Sequence, residues 1–180
     1  VSGVSLREEG SEDEPFLIAL YASTREAELA RTRWTDAEKA VFLRSQFSLQ
    51  QAHYRTHYRD ADFCIIEAKG RPIGRFYVHR GAQEIHLMEL ALLPAWRGQG
   101  IGGGLVQALV QEATAASLPV TLHVEPSNPA RQLYLRAGFR HASELGFYER
   151  LIWMPPHPER ECDEAAEPGQ QQQDGGRLRS

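Results

Sequence analysis

The 180-residue sequence has few cysteines, no basic excess and no long apolar run. Its two cysteines stand far apart, Cys64 within the apolar stretch DFCIIE and Cys162 in an acidic one. So sparse a set argues against a disulfide framework and fits a reducing compartment, which makes a cytoplasmic location the expectation. No apolar stretch approaches the roughly 20 residues of a membrane span, and no signal-peptide pattern opens the chain, so no membrane partner is expected. With 20 Lys and Arg against 24 Asp and Glu, a net charge of −4, the chain lacks the basic footprint of a nucleic-acid binder. A metal site is not expected either. His53 and His57 have i, i+4 spacing, but HYRTH lacks the glutamate of H-E-x-x-H, and a solvated helix face is the plainer reading.

What is present reads as one α/β domain over 1–154. Apolar residues make up 42% of the chain and charged residues 24%, both ordinary for a folded domain. The segment 155–180 has prolines, a glutamine run, a net charge of −3 and no apolar period, so it is expected to be a disordered, acidic, Gln-rich tail. Val4 to Glu8 suits a first strand. Ser11 with Glu14, and Thr35 with Glu38, have the spacing of capping boxes and predict two helices, the first running to about Arg31. Asp62–Ala68 and Ile73–His79, separated by KGRP, predict a hairpin. Further strands are expected at Glu84–Leu93, at Val120–Glu125, and at roughly Phe139–Glu144 and Phe147–Met154. Helices are expected at Gly100–Ser117 and from Ala130 to Ala137, with Gly138 at the C-terminal cap. The order β α α β β β α β α β β predicts a mixed sheet with helices on its faces.

The most informative stretch is LLPAWRGQGIGGGL, residues 92–105, where five glycines fall between Gly98 and Gly104. Glycine permits positive φ and close approach to the main chain, and the amides at a helix start attract anions. A Walker loop is excluded because no Lys-Ser/Thr follows the glycines. A dinucleotide loop fits GQGIGG only loosely and lies late in the chain. Arg97-Gly98-Gln99-Gly100-Ile101-Gly102 instead fits Q/R-x-x-G-x-G/A. Downstream, NPARQLYLRAGF (Asn128–Phe139) fits a second motif at the right separation.

With both motifs and the strand order, the chain from Val4 to Met154 resembles the GCN5-related N-acetyltransferase (GNAT) family. The resemblance implies a mostly antiparallel mixed sheet of about seven strands flanked by about four helices. It implies acetyl-coenzyme A as cofactor and a primary amine, of a small molecule or of a protein, as acceptor, with a homodimer as an option. Amides of Gly98, Gln99, Gly100, Gly102 and Gly103 would meet the pyrophosphate, with Arg97 adding a cation. The strand Glu84–Leu93 would splay from Val120–Glu125, leaving the backbone of Leu90 and Leu92 for the pantetheine arm. Either Ser127 or Asn128 would also contact the coenzyme, since Ser127 holds the family's usual asparagine slot.

Acetyl transfer needs an acid for the departing thiolate and a route for the amine's proton. The resemblance gives the acid role to Tyr134, in L-Y-x-x-x-G-F. For the base, the family's glutamate slots hold His86, Met88 and His123 here. His86 and His123 are the leading candidates, because an imidazole of ordinary pKa about 6.5 accepts a proton near neutrality. Glu89 alternates away from His86 unless a bulge switches the parity of the strand. The rival class is a catalytically silent acyl-coenzyme A-binding module that keeps the glycine loop but not the acid and base. Cys64 reads as a buried small hydrophobe.

Overall fold

Thr35 opens the longest helix. Its hydroxyl accepts from the Glu38 N–H, and the Glu38 carboxylate takes the Thr35 N–H at 2.7 Å, the reciprocal bonds of a capping box. The computed structural model describes residues 3–156. It has seven strands and four α-helices in the expected order: β1 (Val4–Glu8), α1 (Glu14–Leu29), α2 (Asp36–His57), β2 (Asp62–Ala68), β3 (Arg71–Arg80), β4 (Ile85–Leu92), α3 (Ile101–Ala116), β5 (Val120–Val124), α4 (Ala130–Arg136), β6 (Arg140–Leu145) and β7 (Tyr148–Trp153). The expected tail lies outside the described residues from position 157 on. No helix among the described residues is long and apolar enough to cross a membrane.

The first helix begins differently from expectation. Ser11 does not cap it; Ser11–Asp13 winds a 3-10 turn, and the Gly10 N–H donates to the Asp13 carboxylate at 2.8 Å. The cause is Asp13 itself. It is buried and takes both Arg7 guanidinium nitrogens at 2.7 Å, a bidentate, charge-assisted pair. That pair fixes the entry of the chain and delays the helix to Glu14. The neighbouring Arg7 guanidinium, outweighing the effect of burial, lowers the pKa of Asp13.

The sheet order is β1-β2-β3-β4-β5-β7-β6. Every pair is antiparallel except β4 with β5. Lys69 and Gly70, both at positive φ (52° and 71°), form the two-residue turn between β2 and β3, as the twist of a tight hairpin requires. One face of the sheet carries the main core, with Ile66, Phe76, Leu87, Leu122 and Leu151 packed against Val106 and Leu109 of α3 and Tyr134 of α4. On the other face Ile65 packs with Leu17 and Tyr21 of α1 and Phe47 of α2. Thr121 of β5 is a fully buried polar residue, and its hydroxyl is hydrogen-bonded to His86.

Two irregularities shape the middle of the sheet. In β4 the register against β3 steps from Leu87↔Val78 to Glu89↔Tyr77, which leaves Met88 as an extra, bulged residue. In β3, Gly74 lies so close to β4 that a Cβ there would stand 2.3 Å from the Ala91 carbonyl oxygen. No side chain can occupy that position without moving backbone.

Candidate active site

The strands β4 and β5 pair only at Ile85↔Val120, His86↔Thr121 and Leu87↔Leu122. The bulge at Met88 follows immediately, and from there the two strands separate. A bulge bends its strand and sharpens the local twist, so the parting begins where the extra residue sits. The result is a cleft that widens toward the glycine loop. The side of Met88–Leu92 turned toward β5 has no strand partner in it.

The loop closes the wide end. Gly98 and Gly100 both have positive φ (72° and 80°), and a Cβ on either, or on Gly103, would meet no protein atom within 4 Å. Side chains there would instead fill the open cradle. The first helical bond of α3 runs from the Gly104 N–H to the Gly100 carbonyl at 2.9 Å, and no side chain caps this end. The amides of Ile101, Gly102 and Gly103 are therefore left for an anion. Gly102 differs from its neighbours: it is buried, and a Cβ would touch Leu133 at 3.4 Å and Leu90 at 3.7 Å. Its smallness serves the packing of α3 on α4 and β4.

Polar side chains of the loop are mostly engaged in holding it. Arg97 donates from Nε to the Leu92 carbonyl at 2.8 Å, so that carbonyl is already taken. Gln99 donates to the Ala95 carbonyl at 2.7 Å. Across the cleft, the Asn128 side chain accepts from the Ala130 N–H at 2.9 Å and starts the turn into α4. Ser127 is exposed, with no hydrogen bond among the described residues.

The bulge decides which polar groups share a face. Leu87 before it and Leu90 and Leu92 after it all turn to the main core. His86 and Glu89 therefore both turn to the α2 side. There the Tyr54 hydroxyl donates to Glu89 Oε2 at 3.1 Å, and Arg75 Nη2 lies 3.3 Å from the same oxygen. Burial first, then the charge of Glu89, pushes the Tyr54 pKa up, so the hydroxyl stays a donor. Simple alternation would separate His86 from Glu89, and the bulge named above as the exception is present at Met88. Its signal was present in the sequence IHLMELAL, where the apolar period slips a step at adjacent Leu87 and Met88.

The two histidines lie at the narrow end. His86 Nδ1 is 2.9 Å from the Thr121 hydroxyl, its ring is stacked on Tyr58, and it meets the His123 ring edge-on at 5.3 Å. Together with His79 and Glu84 they line an open cavity of about 450 Å³. Burial, helped by His123, pushes the His86 pKa down to about 4. His123 is exposed, and its pKa is lowered by partial burial and by Arg150. Neither is an imidazole of ordinary basicity. Cys64 is half-buried rather than buried, and burial raises its thiol pKa.

Tyr134 of α4 is 6% exposed and packs edge-on against Phe139. Its hydroxyl has no hydrogen-bond partner among the described residues. Burial, and secondarily the charge of Glu89, raises its pKa. It carries its proton through the neutral range. Among the described residues no cluster of His, Cys, Asp or Glu suits a metal ion.

Residues 22–139 match the acetyltransferase (GNAT) family. Over 83 residues, 46% of the chain, the sequence is 36% identical to the cysteine-rich protein 2-binding proteins of Mus musculus and Homo sapiens. The match covers 10% of each of those relatives, so the chain corresponds to a small part of their length. The structure of PaiA N-acetyltransferase from Thermoplasma acidophilum in complex with coenzyme A is similar at a TM-score of 0.64 and 18% identity, over 84% of this chain and 98% of that one. Spermidine N-acetyltransferase from Vibrio cholerae, in complex with CoA and spermine, gives 0.59 and 18% over 86% and 96%. At such identities the likeness to the solved structures is one of fold.

Proposed function

The chain belongs to the GNAT family of acetyltransferases, and from that premise we propose that it transfers the acetyl group of acetyl-coenzyme A to a primary amine of a small molecule or a protein. The observation that carries this reading is the half-paired β4/β5 cleft. It opens onto uncapped amides at one end, and β4, one of its two walls, carries Glu89. The open cradle at Gly98, Gly100 and Gly103 fits a pyrophosphate, and the unpaired edge of β4 fits an extended arm with amide groups. Of the two residues next to α4, Ser127 is the one left available to the coenzyme. Leu90 is the better backbone contact on β4, since Arg97 holds the Leu92 carbonyl.

The coenzyme supplies an activated acetyl thioester; the protein supplies placement and proton transfer. Glu89 Oε1 takes a proton from the incoming ammonium, leaving a neutral nitrogen to bond to the acetyl carbon. The carbon–sulfur bond breaks as the Tyr134 hydroxyl gives its proton to the departing sulfur; the second proton, shed by the nitrogen as it becomes an amide, restores the Tyr134 hydroxyl, and Glu89 returns its own to solvent. Glu89 is preferred to His86 for two reasons. His86 is half-buried with its Nδ1 hydrogen-bonded to Thr121. It also lies where β4 and β5 still pair, away from the open part of the cleft.

The test is free-thiol release from acetyl-coenzyme A across a panel of primary amines, alongside calorimetry of coenzyme binding. Turnover with at least one amine supports the enzyme. Tight binding with no turnover on a broad panel identifies a silent acyl-coenzyme A-binding module instead.

A further inference from the structure

Arg75 lies on β3 with its side chain 1% exposed. It stands opposite Ile65, on the face covered by Leu17, Tyr21 and Phe47. Burying a guanidinium there is costly, and apolar residues of similar volume usually serve stability as well or better. The cost is not fully offset, because Nε and Nη1 have no partner among the described residues. Only Nη2 is engaged. It donates to Gln50 Oε1 at 2.8 Å and lies 3.3 Å from Glu89 Oε2. The Gln50 amide nitrogen stands 3.5 Å from that same Oε2, and the Tyr54 hydroxyl donates to it at 3.1 Å.

Three side chains from two elements thus converge on one oxygen of one carboxylate. Glu89 Oε1 has no hydrogen bond among the described residues, and the Glu89 side chain is 21% exposed. We propose that Arg75, Gln50 and Tyr54 are positioning residues that clamp Glu89 Oε2 and leave Oε1 as the one oxygen presented to the acceptor amine. This rests on the amine-acetylation reading above. The chemistry favours the arrangement. A carboxylate free to rotate offers either oxygen in many directions, whereas one held by three donors offers a single lone-pair direction. A misplacement of about 1 Å at a reacting group can cost 10²-fold in rate. The clamp also accounts for an unusual inward face on α2. Gln50 and Tyr54, four residues apart and one turn beyond Phe47, put polar groups against the sheet where a core helix would put leucines.

The experiment is a double-mutant cycle on the fastest amine of the panel, with coenzyme Kd and Tm measured for each variant. Arg75→Met should lower kcat/KM by about 10²-fold, mostly through kcat, with coenzyme Kd unchanged. Arg75→Lys should recover at least about tenfold of that loss, since a cation near Oε2 is restored. In a Glu89→Gln background, Arg75→Met should cost less than about threefold, because residues acting as one unit are non-additive. Losses that multiply in the double variant, or that follow Tm alone, would overturn the clamp while leaving the acetyltransferase reading in place. Should Arg75→Met not fold, Gln50→Leu, on the partly buried outer side, takes its place. It should cost about tenfold, and nothing further in the Glu89→Gln background. Turnover of no amine by the unaltered protein would overturn both proposals together.

Discussion

Tyr134 and His86 show how burial gives two ring side chains opposite uses. Burial keeps the Tyr134 proton in place, the state from which an acid must start. Tyr134→Phe retains the ring against Phe139 and removes only the donor. Its kcat should fall by about 10²-fold with coenzyme Kd little changed; stopped-flow thiol release separates the two, and an unaltered kcat would return Tyr134 to the core. His86 works the other way. Its pKa falls from 6.5 unfolded to about 4 folded. Between those values the unfolded chain binds the extra proton, so stability is fully present above about pH 6.5 and is lost as the pH falls toward 4. The loss is on the order of 2–3 kcal/mol. Urea unfolding at pH 7, 5.5 and 4.5 should show it, and His86→Gln should flatten that part of the curve. A slope unaffected by the substitution would place the pH dependence elsewhere.

At the scale of elements, the glycines of the loop divide by task, and substitution should reveal the division. Gly103→Val meets open space with helical backbone, so Tm should hardly change while coenzyme affinity falls by at least about tenfold, the new side chain standing over the free amides. Gly102→Val should lower both, since its Cβ already touches Leu133 and Leu90. Gly74→Ala should cost stability, about 1–3 kcal/mol as in other overpacked positions, because Ala91 backbone bars the way. Calorimetry and thermal melts read all three. The elements themselves were legible in the sequence: the Thr35 box, the KGRP turn, the Gly138 cap and the apolar periods each act locally. What was not legible depends on contacts between distant segments. Asp13 moves a helix start because Arg7 reaches it from another element. Glu89 joins the α2 face because one residue of β4 pairs with nothing in β3. The Arg75 cluster draws on Gln50 and Tyr54 of α2, which no spacing in the chain connects to β3 and β4.

The molecule as a whole is two half-sheets, β1–β4 and β5–β7, stitched between β4 and β5 by three residue pairs at the narrow end. A ligand in the cleft should tie them together, so coenzyme should slow hydrogen exchange at the amides of Met88–Leu92 that face β5; unchanged exchange at saturating coenzyme would put the ligand elsewhere. The stitching has a further consequence. Met88 is an insertion that the alternation of β4 does not need. Without it, Ile85, Leu87, Leu90 and Leu92 would still fall on the core side and His86 and Glu89 on the other, now in unbroken order. Deleting that single residue should therefore give a chain that folds, with β4 straightened and zipped to β5 beyond Leu87, and with no opening left for a ligand. In this architecture the candidate site is an interruption in a sheet that could otherwise close, and the interruption is one amino acid long.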